Sequence, residues 1–153
     1  MRTLTPFRFR RSSGFSLIEV LVAVLVFSIG LLGLAALQVA SVRTNQSAAY
    51  RSTAVGLAYA MADRMRANQN GVLTGQYVTV YAAGNCATNP PDNPAAAHDL
   101  AAWKQQLACQ LPDGQGQIQF PGGNIQISVK WTDARWAVDP AMRTSEYILN
   151  TTL

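Results

Sequence analysis

The sequence predicts an α+β fold in which a long amino-terminal α-helix lies across a small antiparallel β-sheet. Three observations predict it. From Val20 to Val42 there are 23 consecutive residues without a charged side chain. From Ala54 to Met65 the apolar residues Ala54, Leu57, Ala58, Met61 and Met65 recur at spacings of three and four. From Asn124 to Thr132 apolar and polar residues alternate strictly. The first pattern belongs to a helix that is apolar all round, the second to an amphipathic helix and the third to a half-buried strand.

The helix comes first. A 23-residue uncharged run spans roughly 34 Å at about 1.5 Å per residue, enough to cross a hydrocarbon core of about 30 Å. No Pro occurs between Phe15 and Asn68, so the apolar and amphipathic stretches read as one helix. Gly30, Gly33 and Gly56 weaken it by on the order of 1 kcal/mol each relative to Ala. In the apolar half, Gly30 and Gly33 read as close-packing positions.

Past Asn68 the composition turns loop-like through NQNGVLTGQ (68–76), and NPPDNP (89–94) is turn chemistry. Asn93-Pro94 is a helix start, and Leu100, Trp103 and Leu107 give the following short helix its apolar stripe before Leu111-Pro112-Asp113-Gly114 ends it. Gly114-Gln115-Gly116 reads as a turn. Gly116–Phe120 and Asn124–Thr132, joined by Pro121-Gly122-Gly123, form a hairpin, and Glu146–Leu153 is a third strand. The Met and Trp positions are expected in the core.

Charge narrows the function. The chain carries 12 Lys and Arg against 8 Asp and Glu, a formal net charge of +4. Arg2, Arg8, Arg10 and Arg11 lie within the first 14 residues, where there is no acid. Setting those four aside leaves eight basic residues against eight acidic ones, so the remainder is neutral and gives no support to a nucleic-acid face. No nucleic-acid partner is expected, and DNA binding is a minor alternative that salt dependence would test. Nucleophile elbow, P-loop and dinucleotide fingerprints are absent from the sequence. Cys86, Cys109 and His98 have no zinc-ligand spacing, and His98 reads as a surface residue. Neither a catalytic residue, a cofactor nor a metal is expected.

A basic stretch followed by an apolar one is the general form of an export signal whose positive side stays in the cytoplasm. Inside the apolar block stands Glu19. A carboxylate at the bilayer centre costs about 2.5–3.5 kcal/mol even on lenient scales, and less near the interface, so Glu19 is either a tolerated end-of-span residue or one with a partner. GFSLIEV, Gly14 to Val20, resembles the processing motif of type IV prepilins and the related type II secretion pseudopilins. The resemblance implies that a prepilin peptidase cuts between Gly14 and Phe15 and methylates the new amino terminus of Phe15. Residues 1–14 would then be a cleaved leader, and residues 15–42 a transmembrane helix that contacts lipid and later packs in a filament core. Residues 43–153 would be a periplasmic, pilin-like head that includes the second half of the long helix. Glu19 becomes an assembly residue, its charge met by the Phe15 amine of a neighbour.

GLLGLAALQ (30–38), NQSAAYRS (45–52), ADRMRAN (62–68), Trp103, LPDGQGQI (111–118) and VKW (129–131) are similar to the PilV-type minor pilins, the type IV pilus modification family. That likeness implies a structural subunit, not an enzyme, which is incorporated in or primes a type IV pilus. Its partners would be prepilin peptidase, the major pilin, other minor pilins and the inner-membrane assembly machinery. It would sit in the inner membrane as a single-pass protein and then in the cell-surface pilus. The alternatives are a minor pseudopilin of type II secretion and a membrane-anchored periplasmic domain of another kind. Arg64 and Arg66 with Asp63 read as either a subunit contact or a solvated helix face. In an exported domain Cys86 and Cys109 can form a disulfide, worth about 3 kcal/mol by loop closure, or stay as free thiols.

Overall fold

The computed structural model describes residues 14–87, 90, 95–134, 137 and 139–152. In chain order they form α1 (Leu17–Ala67), α2 (Gln69–Leu73), β1 (Thr79–Ala83), α3 (Ala95–Gln110), β2 (Gln115–Gln119), β3 (Ile125–Thr132) and β4 (Thr144–Thr151), with 3₁₀ turns at Pro121–Gly123 and Pro140–Arg143. The chain divides into two compact units, Met1–Val42 and Arg43–Leu153.

Within the first unit, α1 is exposed on every side from Leu17 to Val42. Leu, Val, Ile and Phe all round a helix leave it no core to face within its own unit, and α1 contains a stretch long and apolar enough to cross a membrane. Its one hydroxyl in mid-span is satisfied locally: Ser28 Oγ donates to the Val24 carbonyl at 2.7 Å.

The second unit holds the core. The head portion of α1 buries Ala54, Leu57, Ala58, Met61, Ala62 and Met65, all on one stripe. Against them pack Trp103 and Leu107 of α3, Tyr77, and Ile118, Ile125, Ile127, Val129 and Trp131 from the sheet. The sheet is an antiparallel meander in the order β1-β2-β3-β4. Its β3–β4 ladder runs unbroken from Ile125↔Thr151 to Thr132↔Thr144, while β1 pairs with β2 across an irregularity between Thr79 and Ala82. This is the α+β arrangement expected.

The elements differ from expectation in detail. The short α2 falls inside the stretch read as loop, and β1 lies just after it, where the sequence reading placed no strand. Gln115 and Gly116 lie in β2, not in a turn, and the reversal is made one step earlier, where Asp113 adopts a φ of 53°. β4 starts at Thr144. Asn93 and Pro94, the expected helix start, lie outside the described residues, as does Leu153. Of the Met and Trp positions, Met61, Met65, Trp103 and Trp131 are buried. Met142 is 71% exposed because it sits in the 3₁₀ turn before β4, away from the core. Met1 and Trp136 lie outside the described residues.

Two glycines set how closely α3 lies on the sheet. A Cβ at Gly116 would stand 2.4 Å from Trp103 Cη2 and 2.6 Å from Leu107 Cδ1. One at Gly84 would stand 2.1 Å from the Lys104 carbonyl oxygen. Both positions must lack a side chain for α3 to seat where it does. Lys104 Nζ then reaches Thr79 Oγ1 at 2.6 Å and ties the helix to β1.

Candidate functional site

The amino-terminal segment begins as exposed, non-helical backbone at Gly14, Phe15 and Ser16. Phe15 is 84% exposed. Ser16 starts the helix: its Oγ accepts the Ile18 N–H at 3.3 Å, and its carbonyl accepts the N–H groups of Glu19 at 3.1 Å and Val20 at 3.3 Å. Ser16 is therefore the N-cap and Glu19 the third helical residue, the S-x-x-E spacing of a capping box. A carboxylate in the first turn also faces the positive end of the helix dipole. The role of Ser16 is an addition to the sequence reading, although its spacing to Glu19, three residues apart, is a legible start signal.

Phe15, Glu19, Val20, Ala23, Val24 and Phe27 share one flank of this unit. Glu19 is thus the single acid on a face otherwise made of apolar side chains. Gly30 and Gly33 meet nothing within 4 Å among the described residues.

In the head, the ADRMRAN segment serves the fold itself. Ala62 and Met65 are core residues. Arg64 extends to α3, donating through Nη1 to the Asp99 carbonyl at 3.2 Å and through Nη2 to Gln106 Oε1 at 3.5 Å. Asn68 accepts the Gly71 N–H at 3.2 Å, capping α2, and donates through Nδ2 to the Tyr77 hydroxyl at 3.1 Å. Tyr77 in turn donates to Asp99 Oδ2 at 2.6 Å. Burial, and then the Asp99 hydrogen bond, push the Tyr77 hydroxyl up from 10.0 to about 12. Arg66 pairs with Asp63 at 2.7 Å on the surface and donates to Thr151 Oγ1 at 3.2 Å. Arg64 fastens α3 to α1, while Arg66 and Asp63 pair on the exposed helix face. The Tyr77–Asp99 pair is invisible in the sequence because 22 residues separate its members.

The two cysteines meet. Cys86 and Cys109 form a disulfide with a Cα–Cα distance of 5.0 Å, bonding the segment after β1 to the last turn of α3. Gln105 Nε2 donates to the Cys86 carbonyl at 3.2 Å beside it. His98 is exposed, with Nδ1 3.9 Å from Asp99 Oδ1. Among the described residues no three His, Cys, Asp or Glu side chains gather as a metal set.

On the outer face of the sheet the Tyr81 hydroxyl donates to Glu146, and Lys130 Nζ stands 5.7 Å from the Tyr81 ring centre. Burial first, then the Glu146 hydrogen bond, raise this phenol also to about 12.

Residues 9–35 match the family model of the prokaryotic N-terminal methylation motif, and residues 36–109 match that of type IV pilin Tt1218. No curated protein and no solved structure matches the chain. Type IV pilins are structural, non-enzymatic proteins, and a prepilin-type motif on an exposed apolar helix fits a membrane-anchored subunit of a surface pilus. The two matches adjoin at residues 35 and 36, and together with the long helix on its four-stranded sheet they support a type IV pilin.

Proposed function

We propose that this chain is a minor pilin of the PilV type, trimmed by prepilin peptidase between Gly14 and Phe15, methylated on Phe15, and drawn into a type IV pilus or into the complex that primes it. The observation that carries this reading is the amino-terminal helix. It offers an apolar surface on all sides with one acid, Glu19, in its first turn. Such a surface can be covered in two ways, by lipid before assembly and by the equivalent helices of other pilins after it.

Trimming places the new Phe15 amine one residue ahead of the Ser16 cap, at the positive end of the helix dipole. An ammonium there is poorly solvated in an apolar filament core, and a carboxylate is its natural complement. Glu19 supplies that carboxylate to the amine of a neighbouring subunit, which specifies register more than it adds affinity. Before assembly the head lies in the periplasm, an oxidising compartment in which the Cys86–Cys109 bond persists.

The test is fractionation in the native host. The protein should accumulate in membranes, and a small amount should travel with sheared pili, disappearing from that fraction when the major pilin is deleted. Recovery with a type II secretion pseudopilus instead would keep the fold and transfer the function to that machine. Absence from both would overturn the proposal.

A further inference from the structure

Along α1 the fully buried side chains begin at Ala54. The preceding turns of the head, from Arg43 to Thr53, place Tyr50 at the edge of the core and are otherwise exposed or half-buried. Apolar burial is what holds a surface helix down, so these turns are the weakly held end of the head's helix.

A polar contact reaches them from the far end of the chain. Ser47 Oγ donates to Asp133 Oδ2 at 2.6 Å, across 86 positions of sequence. Ser145 Oγ, in β4, donates to the same oxygen at 3.3 Å. The backbone fixes the carboxylate in place, because the Asp133 N–H donates to the Arg143 carbonyl at 2.8 Å and the neighbouring Thr132 N–H to the Pro112 carbonyl at 2.8 Å. The other carboxylate oxygen, Oδ1, is buried without a hydrogen-bond partner. One oxygen therefore accepts two hydroxyls while the other is dehydrated and unpaired, and opening the contact would let water reach it. The closed arrangement is held by the hydroxyls and opposed by that orphaned oxygen.

We propose that Ser47 and Asp133 form a releasable clamp that decides whether the first turns of the head's helix, residues 43–53, lie docked on the β3–β4 connection or open from it. The clamp itself is a property of the head. Its use rests on the pilin reading: in a pilin subunit, release would free residues 43–53 while the helix from Ala54 onward stays docked.

Hydrogen–deuterium exchange on the full chain in detergent tests this. In Ser47→Ala the amides of residues 47–53 should exchange about tenfold faster, the factor that follows from losing one hydrogen bond of ordinary net worth. Those of β3 should be unchanged. Asp133→Ala, which also removes the Ser145 hydrogen bond, should speed exchange there too, and adding Ser47→Ala to it should change nothing further, because the Ser47 contact is already lost. Should Asp133→Ala fail to fold, Ser47→Ala decides the matter alone. Unchanged exchange at 47–53 in Ser47→Ala would overturn the clamp, and so would acceleration spread evenly through β3. Neither readout needs a pilus, so a chain found unprocessed in its host would sink the pilin reading and leave this test standing.

Discussion

The indole Nε1 of Trp103 donates a 3.0 Å hydrogen bond to the carbonyl of Leu57, in the head portion of α1. That carbonyl belongs to the helix ladder, so Trp103 takes its second lone pair. The ring is fully buried, and its far edge lies over Gly116 of β2. One side chain thus joins α1, α3 and the sheet.

The first prediction follows from that junction. Trp103→Ala should destabilise the head by about 3–5 kcal/mol, from lost transfer energy and a cavity. Trp103→Phe should cost less but leave the indole's hydrogen bond unmade. Gly116→Ala drives a methyl into the ring and should cost about 1–3 kcal/mol as overpacking. Thermal unfolding of the detergent-solubilised chain, followed by circular dichroism, measures all three, and a neutral Gly116→Ala would contradict the close seating of α3.

Reduction gives the second. The Cys86–Cys109 bond closes a loop with a sequence separation of 23, worth about 3 kcal/mol of chain entropy. Reductant should lower the melting temperature and add two hydrogens to the mass, while the β3–β4 ladder keeps its far-ultraviolet signal below the new transition. Equal melting temperatures with and without reductant would show that the bond contributes nothing to the head.

Alkaline pH gives the third. Tyr77 and Tyr81 are both raised to about 12 in the folded protein, whereas an unfolded chain ionises them near 10. Between those values the folded state holds protons that the unfolded state has released, so stability falls as pH rises. The contribution is fully present below pH 10 and is lost through about pH 12. Melting temperature should therefore drop over that window, and Tyr77→Phe should flatten part of the drop while costing about 1 kcal/mol at neutral pH for the hydrogen bond to Asp99.

Glu19 carries the fourth. Glu19→Ala should leave cleavage largely intact, because the proposed cut lies at Gly14–Phe15, yet lower the amount recovered in sheared pili severalfold. It should also weaken the capping of α1 by a few tenths of a kcal/mol through the lost first-turn charge. Wild-type amounts in the pili would remove Glu19 from assembly.

Much of the fold is legible in the sequence because its signals are local. Alternation in Ile125–Trp131 and the three- and four-residue spacing of Ala54, Leu57, Ala58, Met61 and Met65 are periodicities that a chain displays before it folds. β1 escapes such a reading for a physical reason: Val80 is exposed and Tyr81 and Ala82 are only half-buried, so its apolar residues do not mark a buried face, and a weakly paired edge strand has no clean alternation to read. Ser16 is readable from its spacing to Glu19. Arg64, Tyr77 and Asp133 are not, because their partners Asp99, Gln106 and Ser47 come from distant positions and only the folded packing of α1, α3 and the sheet brings them together.

The most direct measurement of the central claim is the intact mass and amino-terminal peptide of the protein isolated from its host. A chain that begins with methylated Phe15 is the predicted result, and Gly14→Trp should leave the leader attached. A wild-type chain that keeps its leader, or one cut after the apolar run, would contradict the pilin reading.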